Sequence, residues 1–427
     1  MKSNRPYAKA TITPKGQRAI EAGHPWVYEG EVERVEGTEG AESAGFDEAP
    51  DMPSDNGFLV DVLSRKGSYL GTGLYSAQSK IRIRLITRNA NDAFDQAFWT
   101  RKVRWCWEYR KTAMGRDLES CRVIFSEADG FPGLIVDRFC DVLVAQVLSV
   151  GMERVKPQVF AALAQVFAED GVDLRGIYER NDSSTRVLEG LEQTSGWYAG
   201  EGVPFPENPD QTITLIVENG VRYEVDFADG QKTGFFLDQK YNRAAVARLA
   251  PGKRVLDCFT HTGSFALNAA LAGADHVTAV DISELAINQA RKNAELNGVK
   301  DRMDFVCENV FDLLTRLEQE KCRDYDFIVL DPPAFTKSRR TIDQAARGYK
   351  DINYRALKIL PRGGYLATCS CSHFMDTDRF KQMVAAAARD AGVQLRQIEQ
   401  RQQAPDHPIL WGVPETDYLK FFLFQVV

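Results

Sequence analysis

The sequence predicts an α/β protein. Its C-terminal half reads as a doubly wound, mostly parallel sheet, preceded by a small β-rich domain and a central α+β domain. Three observations predict this. From Arg254 onward, apolar strand-like runs alternate with helical stretches, which is the pattern of a parallel sheet covered by helices on both faces. Residues 7–88 hold short strand-like runs divided by turn signals. Gly200–Pro209, with three prolines and two glycines, is a natural boundary before the last region. A chain of 427 residues has room for two to four domains at ~100–200 residues each.

Taken in order, Pro14-Lys15-Gly16 and Gly23-His24-Pro25 punctuate the start, and strands are predicted at Phe58–Leu63, Tyr69–Tyr75 and Ile81–Ile86. The stretch from about Gly37 to Asn56 is rich in Gly, Glu, Ala, Ser and Pro and reads as a surface insertion. Residues 89–204 open with an aromatic-rich helix, Phe94–Tyr109, in which the recurring Trp99, Trp105 and Trp107 read as core. Strands follow at Gly133–Val136 and Val142–Val147, then a helix at Glu153–Ala168 and a strand at Gly176–Glu179. Residues 205–427 begin with a strand pair, Gln211–Glu218 and Val221–Phe227. Five strands are then expected at Arg254–Cys258, His276–Asp281, Met303–Cys307, Phe327–Asp331 and Gly364–Thr368, with helices between them such as Ser283–Asn297 and Ile342–Ile359.

Composition excludes some classes. Hydrophobic residues are 44% and charged residues 26%, ordinary for a soluble globular chain. No run approaches the ~18 apolar residues of a membrane span, and Met1–Gln17 lacks the apolar middle of a secretory signal. The cytoplasm is the expected compartment. None of the eight cysteines lies in a C-x-x-C pair, so neither a zinc site nor a thioredoxin-type redox pair is expected. The net charge is −7, but Glu31–Asp55 alone holds nine acids and one base, so the remainder carries +1. Basic stretches occur at Lys80, Arg82, Arg84 and Arg88; at Arg101, Lys102, Arg104, Arg110 and Lys111; and at Lys337, Arg339 and Arg340. A local patch, not the global sum, is what meets phosphate, although for any one run a solvated face is the simpler reading.

The chemistry-bearing residues sit at the ends of the predicted parallel strands, where ligands bind in open α/β sheets. Val255–Phe265 reads as a buried strand, a tight loop and a helix start, with only Gly263 in place of a G-x-G-x-x-G fingerprint. The departure favours an adenosine cofactor without a pyrophosphate, S-adenosylmethionine, over NAD; a generic βα turn explains it equally well. Asp281, at the tip of the next strand, can accept both ribose hydroxyls; the alternative, a helix N-cap, is already filled by Ser283. Glu308 and Asn309 follow the third strand, within reach of an adenine ring. The fourth strand runs into Asp331-Pro332-Pro333-Ala334-Phe335, and the fifth ends in Cys369-Ser370-Cys371-Ser372. The two prolines stiffen the exit and fix where Asp331 points. Asp331 and Cys371 can therefore face one pocket, an acid beside a nucleophile. A thiol is what a pyrimidine carbon requires, because addition at carbon 6 makes carbon 5 nucleophilic. Buried packing is the competing account of both cysteines.

Longer motifs carry a resemblance. Asp229–Lys240 (DGQKTGFFLDQK), Asp331–Ser338 (DPPAFTKS), Arg347–Asn353 (RGYKDIN) and Ser370-Cys371-Ser372 resemble, in order, the motifs of bacterial large-subunit ribosomal RNA cytosine-5 methyltransferases. His24–Tyr28 is similar to the start of that family's PUA domain, and Ser126–Leu134 and Tyr178–Asp182 to its central domain. The acidic insertion is not part of the family pattern. The resemblance implies a PUA-like RNA-binding domain at 1–88 with the insertion at about 37–56, a central domain at 89–204, and a Rossmann-like class I methyltransferase domain at 205–427. It implies S-adenosyl-L-methionine as cofactor, with Lys232, Phe236, Gln239, Phe259, Thr260, Gly263, Asp281 and Asn309 on cofactor-binding segments. Cys371 matches the nucleophile and Asp331 the residue that hydrogen-bonds the target base. RNA, ribosomal RNA first, is the implied partner; no membrane and no metal are implied, and a homodimer is admitted. The rivals are an RNA methyltransferase acting on a base nitrogen, guanine N7 or an exocyclic amine, and a non-catalytic RNA-binding protein.

Overall fold

A computed structural model of the chain describes residues 5–37, 56–336 and 338–427. The acidic insertion lies almost wholly outside the described residues, as does Lys337. The chain forms two compact units where three domains were expected. The first comprises Met1–Thr214, Val225–Phe235 and Pro405–Thr416; the second comprises Leu215–Glu224, Phe236–Ala404 and Asp417–Val427.

In the first unit, β1 (Ala8–Ile12), α1 (Pro14–Glu21), β2 (Trp26–Tyr28), β3 (Val32–Glu36), β4 (Leu59–Ser64), β5 (Tyr69–Tyr75) and β6 (Ile81–Thr87) form a six-stranded sheet of order β2-β6-β5-β4-β1-β3 with one helix. Helix α1 was not expected. Its start is nonetheless written in the sequence: Thr13 caps it, accepting from the Gly16 amide at 3.3 Å, and Pro14 occupies the first turn. Then come α2 (Gln96–Met114), β7 (Ser120–Phe125), β8 (Leu134–Phe139), β9 (Val142–Val147), α3 (Val150–Glu169), β10 (Gly176–Asn181) and β11 (Thr194–Trp197), whose strands form a sheet of order β11-β10-β9-β8-β7. Trp99 and Trp107 on α2 are buried in its core, as expected, with Phe160 and Phe167 of α3. Trp105 is not: it is 62% exposed, on the opposite face of α2. Helical period explains the split, since a residue two positions from Trp107 points away from it.

The two sheets share one unit because Leu59, Leu74 and Ile86 of the first sheet belong to the same buried apolar cluster as the second sheet and its helices, and polar side chains add to the join. The Trp26 indole donates to Glu127 at 2.9 Å, and Arg84 pairs with buried Glu189 at 2.8 Å. The returning segment 405–416 belongs here through Asp406, whose carboxylate accepts the Arg122 amide at 2.8 Å and whose carbonyl accepts from Arg110 at 2.8 Å.

The second unit contains most of the hairpin β12 (Ile213–Glu218) and β13 (Val221–Asp226). It continues through α4 (Lys240–Leu249), β14 (Arg254–Cys258), α5 (Ser264–Leu271), β15 (His276–Asp281), α6 (Glu284–Leu296), β16 (Met303–Cys307), α7 (Val310–Gln319), β17 (Phe327–Leu330), α8 (Ile342–Ile359), β18 (Tyr365–Ser370), α9 (Thr377–Ala391), β19 (Leu395–Arg401) and β20 (Lys420–Val426). The sheet order is β16-β15-β14-β17-β18-β20-β19. Strands β14 to β18 run parallel, and β20 inserts antiparallel between β18 and β19. The central parallel strands β14, β15, β17 and β18 are mostly buried on both faces, which is why they read as largely apolar runs; β16, at the edge, is largely exposed or half-buried. The order reverses between β14 and β17, and a ligand crevice opens at such a switch point.

Candidate active site

The first half of the site is the loop after β14. Phe259 and His261 hold φ of +63° and +52°, and Gly263 holds +83°. Left-handed backbone at two non-glycine residues costs about 1–3 kcal/mol each, and it persists where surrounding contacts impose it. Those contacts are present. Asp257, buried in β14, accepts from the Thr260 hydroxyl at 2.6 Å and from the Ala266 amide at 2.9 Å, tying strand, loop and α5 together. The Thr260 amide donates to the Val280 carbonyl at 2.9 Å, and the His261 amide to the Asp281 carboxylate at 2.9 Å. Phe236 packs edge-on against His261, with ring centroids 5.2 Å apart. Burial, with Asp331 and Asp281 nearby, pushes the Asp257 carboxyl up to about 7.

Asp281 ends β15 half-buried. One carboxylate oxygen accepts from His261 and the other from the Ser283 amide at 3.0 Å, while Ser283 caps α6. A carboxylate offers about four acceptor sites, so capacity for a diol remains. Asn309 is exposed and caps α7, accepting from the Phe311 amide at 2.9 Å. Lys232 lies in Val225–Phe235, which belongs to the first unit.

The second half lies at the tips of β17 and β18. The Gln239 amide donates to Asp331 at 3.0 Å and its carbonyl accepts from Asn242 at 2.6 Å. Gln239 thus links Asp331 to α4. Burial first, then the neighbouring Asp238 carboxylate, raises the Asp331 carboxyl to about 7, against hydrogen bonds from Cys369 and Gln239. Cys369 is fully buried, and burial with the Asp331 charge pushes its thiol well up, out of the nucleophilic range. Cys371 is half-exposed; its sulfur lies 3.9 Å from the Pro332 carbonyl, alongside the Asp-Pro-Pro segment. Tyr349, on α8, packs against this turn. Its hydroxyl is 2.9 Å from that of Ser372, and its ring packs on Phe335 at 4.5 Å.

Sequence reasoning assigned no role to Asp257, Tyr349 or Lys420, all of which the structure draws into the site. Asp257 and Tyr349 lie inside motifs already quoted; nothing local marks Lys420.

A switched parallel sheet with an adenosine-type loop, an acidic second-strand tip and an acid at the fourth is the architecture expected of a class I methyltransferase. The comparisons agree. Residues 193–425 match the family model for S-adenosylmethionine-dependent methyltransferases, and residues 10–88 match that for a PUA-like domain. A protein of Klebsiella pneumoniae named ribosomal RNA large subunit methyltransferase I is 38% identical over 99% of both chains. A protein of that name from Escherichia coli is 38% identical over 97% of this chain and 99% of its own. In structure, a candidate S-adenosylmethionine-dependent methyltransferase from Streptococcus mutans superposes with a TM-score of 0.77 at 22% identity, over 98% and 99% of the two chains. The chain belongs to the ribosomal RNA large subunit methyltransferase I family of S-adenosylmethionine-dependent enzymes. Its cofactor is S-adenosylmethionine and its substrate class is RNA.

The site fits that cofactor. Among the described residues, two buried oxygens here have no hydrogen-bond partner, Asp257 Oδ1 in β14 and Thr262 Oγ1 in the loop, suited to an ammonium and a carboxylate. A Cβ at Gly263 would sit 3.0 Å from that of Ala290, so the loop is already tight there.

Proposed function

We propose that the protein methylates carbon 5 of a cytosine in large-subunit ribosomal RNA, through a covalent bond from Cys371. The curated relatives carry ribosomal RNA in their name, and the acceptor atom follows from the site. The observation that carries it is the pairing of an acid raised to about 7, Asp331, with a half-exposed cysteine beside the same Asp-Pro-Pro turn. Nitrogen acceptors have no use for such a thiol.

S-adenosylmethionine supplies an electrophilic methyl group. The protein's own residues do the rest. Phe236, Phe259, Thr260, Gly263 and Asp281 hold the cofactor, with Asn309 beside the adenine. The target cytosine leaves its stack to enter the pocket. Asp331, protonated, donates to ring N3 and draws electrons from carbon 6. The Cys371 thiolate bonds to carbon 6, and the electron pair moves to carbon 5, which takes the methyl group. A base, water or a side chain, then takes the carbon-5 proton; the C–H electron pair re-forms the C5–C6 double bond, and the S–C6 pair leaves with the Cys371 thiolate. Gln239 and Asn242 keep Asp331 in place throughout. Work on ribosomal RNA belongs in the cytoplasm; among the described residues no helix is long and apolar enough to cross a membrane.

The test is transfer of tritium from methyl-labelled cofactor to ribosomal RNA lacking its native methyl groups, followed by nucleoside analysis. Labelled 5-methylcytidine is expected with the wild type and none with Cys371→Ala. Label in another nucleoside that survives the substitution would sink the cysteine and leave a nitrogen methyltransferase. RNA binding without label would leave a non-catalytic binder.

A further inference from the structure

Lys420 opens β20 and is 4% exposed. In the β18–β20 ladder it faces Ser370, the residue before Cys371. Its Nζ donates to the Ser372 carbonyl at 2.7 Å and to the Tyr418 carbonyl at 2.8 Å. Lysine has three donors, so the two carbonyls leave one. Among the described residues no carboxylate lies within ion-pair distance of it. A buried ammonium supported by carbonyls alone is costly. The groups acting to keep it charged are Cys371 first, then the more distant Asp417 and Asp376. Among the described residues, Lys420, Tyr349 and Cys369 are ionisable groups that interact with Cys371. Lys420 alone among these can carry a positive charge.

The geometry points to Lys420 as a positioning residue for Cys371: its ammonium anchors the Cys371–Ser372 turn through the Ser372 carbonyl and pairs with the Cys371 thiolate, so that the nucleophile is ionised before RNA arrives. The inference rests on Cys371 being the nucleophile. When the thiol ionises its proton goes to solvent and the ammonium keeps its own. On addition the sulfur electron pair becomes the S–C6 bond, and on elimination the thiolate returns to the same counter-ion. Burial pulls Lys420 down to about 8 even with this support, so the pair exists only below the pH at which the lysine gives up its proton.

The test is the pH dependence of Cys371 alkylation by iodoacetamide in the full-length protein without RNA, read by mass spectrometry of the Cys371 peptide. Lys420→Met should move the midpoint up by about one to two pH units. Lys420→Arg, which keeps charge and donors, should leave it low. At pH 7 the methionine variant should lose kcat about tenfold for each pH unit by which the midpoint rises, with KM for RNA unchanged. An unmoved midpoint in a folded methionine variant overturns the pairing, as does an arginine variant displaced equally. Should the methionine variant fail to fold, the pair can be read from the other side. Lysine side-chain NMR of Cys371→Ala, assigned with Lys420→Arg, should show Lys420 titrating lower than in the wild type; an unchanged titration overturns the inference. Methyl transfer that survives Cys371→Ala would instead sink the nucleophile, whatever the alkylation shows.

Discussion

Asp331 must be an acid at a pH where free carboxylates, with values near ~3.9, are almost wholly ionised. Its surroundings achieve this by burial and by the nearby Asp238 charge, which together outweigh the Gln239 and Cys369 hydrogen bonds and bring the carboxyl to about 7. At neutral pH a large share of the molecules then carries the proton that ring N3 needs. The activity should fall above about pH 7 as that proton is lost. Asp331→Asn should remove the upper limb and reduce kcat by about 10²–10⁴-fold, the usual range for general acid catalysis; a kcat–pH profile checks both. The same displacement bears on stability. The folded value lies above the unfolded one, so the stabilising contribution is complete below about pH 4 and is lost as pH rises through about 7. Urea titrations at pH 5.5 and 8.5 should show wild type losing more stability across that interval than Asp331→Asn. Asp257, raised in the same way, maintains the remaining slope in the variant.

At the scale of elements, the loop between β14 and α5 is the part least free to change. Gly263→Ala would place a side chain at φ +83° and 3.0 Å from Ala290 Cβ. The expected cost is about 1–2 kcal/mol from the left-handed backbone, together with a raised Kd for S-adenosylmethionine; thermal unfolding and calorimetry measure the two. The elements also show what a sequence carries. The central parallel strands were legible because burial on both faces leaves mostly apolar residues, and Ile342–Ile359 because its period is helical. Strands β19 and β20 were not. Leu395–Arg401 is mostly polar and exposed, and the place of Lys420–Val426 between β18 and β19 is a matter of long-range pairing. Lys420 was illegible for the same reason, since only the β18–β20 register puts it opposite Ser370. Asp331 and Cys371 were legible because their motifs are short and local. Gln239 was legible as a motif residue, but its hydrogen bond to Asp331 was not, because the two lie 92 positions apart.

At the scale of the whole chain, charge is arranged differently from the basic stretches of the sequence. In the first unit Arg82 pairs with Glu29, Arg84 with Glu189, Arg101 with Asp92, and Arg104 and Lys111 with Asp170, while Arg110 is buried against Asp129 and Lys102 is buried against the Ile86 carbonyl. Among the described residues, most cations of these two stretches are therefore paired with carboxylates, and few of them remain to meet phosphates. RNA affinity should depend weakly on salt, because the slope counts the phosphates that cations neutralise. Against so small an attraction the acidic insertion matters. Residues 38–55 hold six carboxylates and no lysine or arginine, so deleting them changes the formal charge from −7 to −1. If these charges act only by long-range repulsion, the deletion should tighten binding to ribosomal RNA fragments by about three- to tenfold at ~50 mM salt. The gain should vanish towards ~0.5–1 M, where the Debye length shrinks to a few ångströms. Filter binding across a salt series separates this from the alternative. Affinity that falls equally at every salt concentration would mean that the insertion touches RNA, or supports a surface that does, by contacts that screening does not reach.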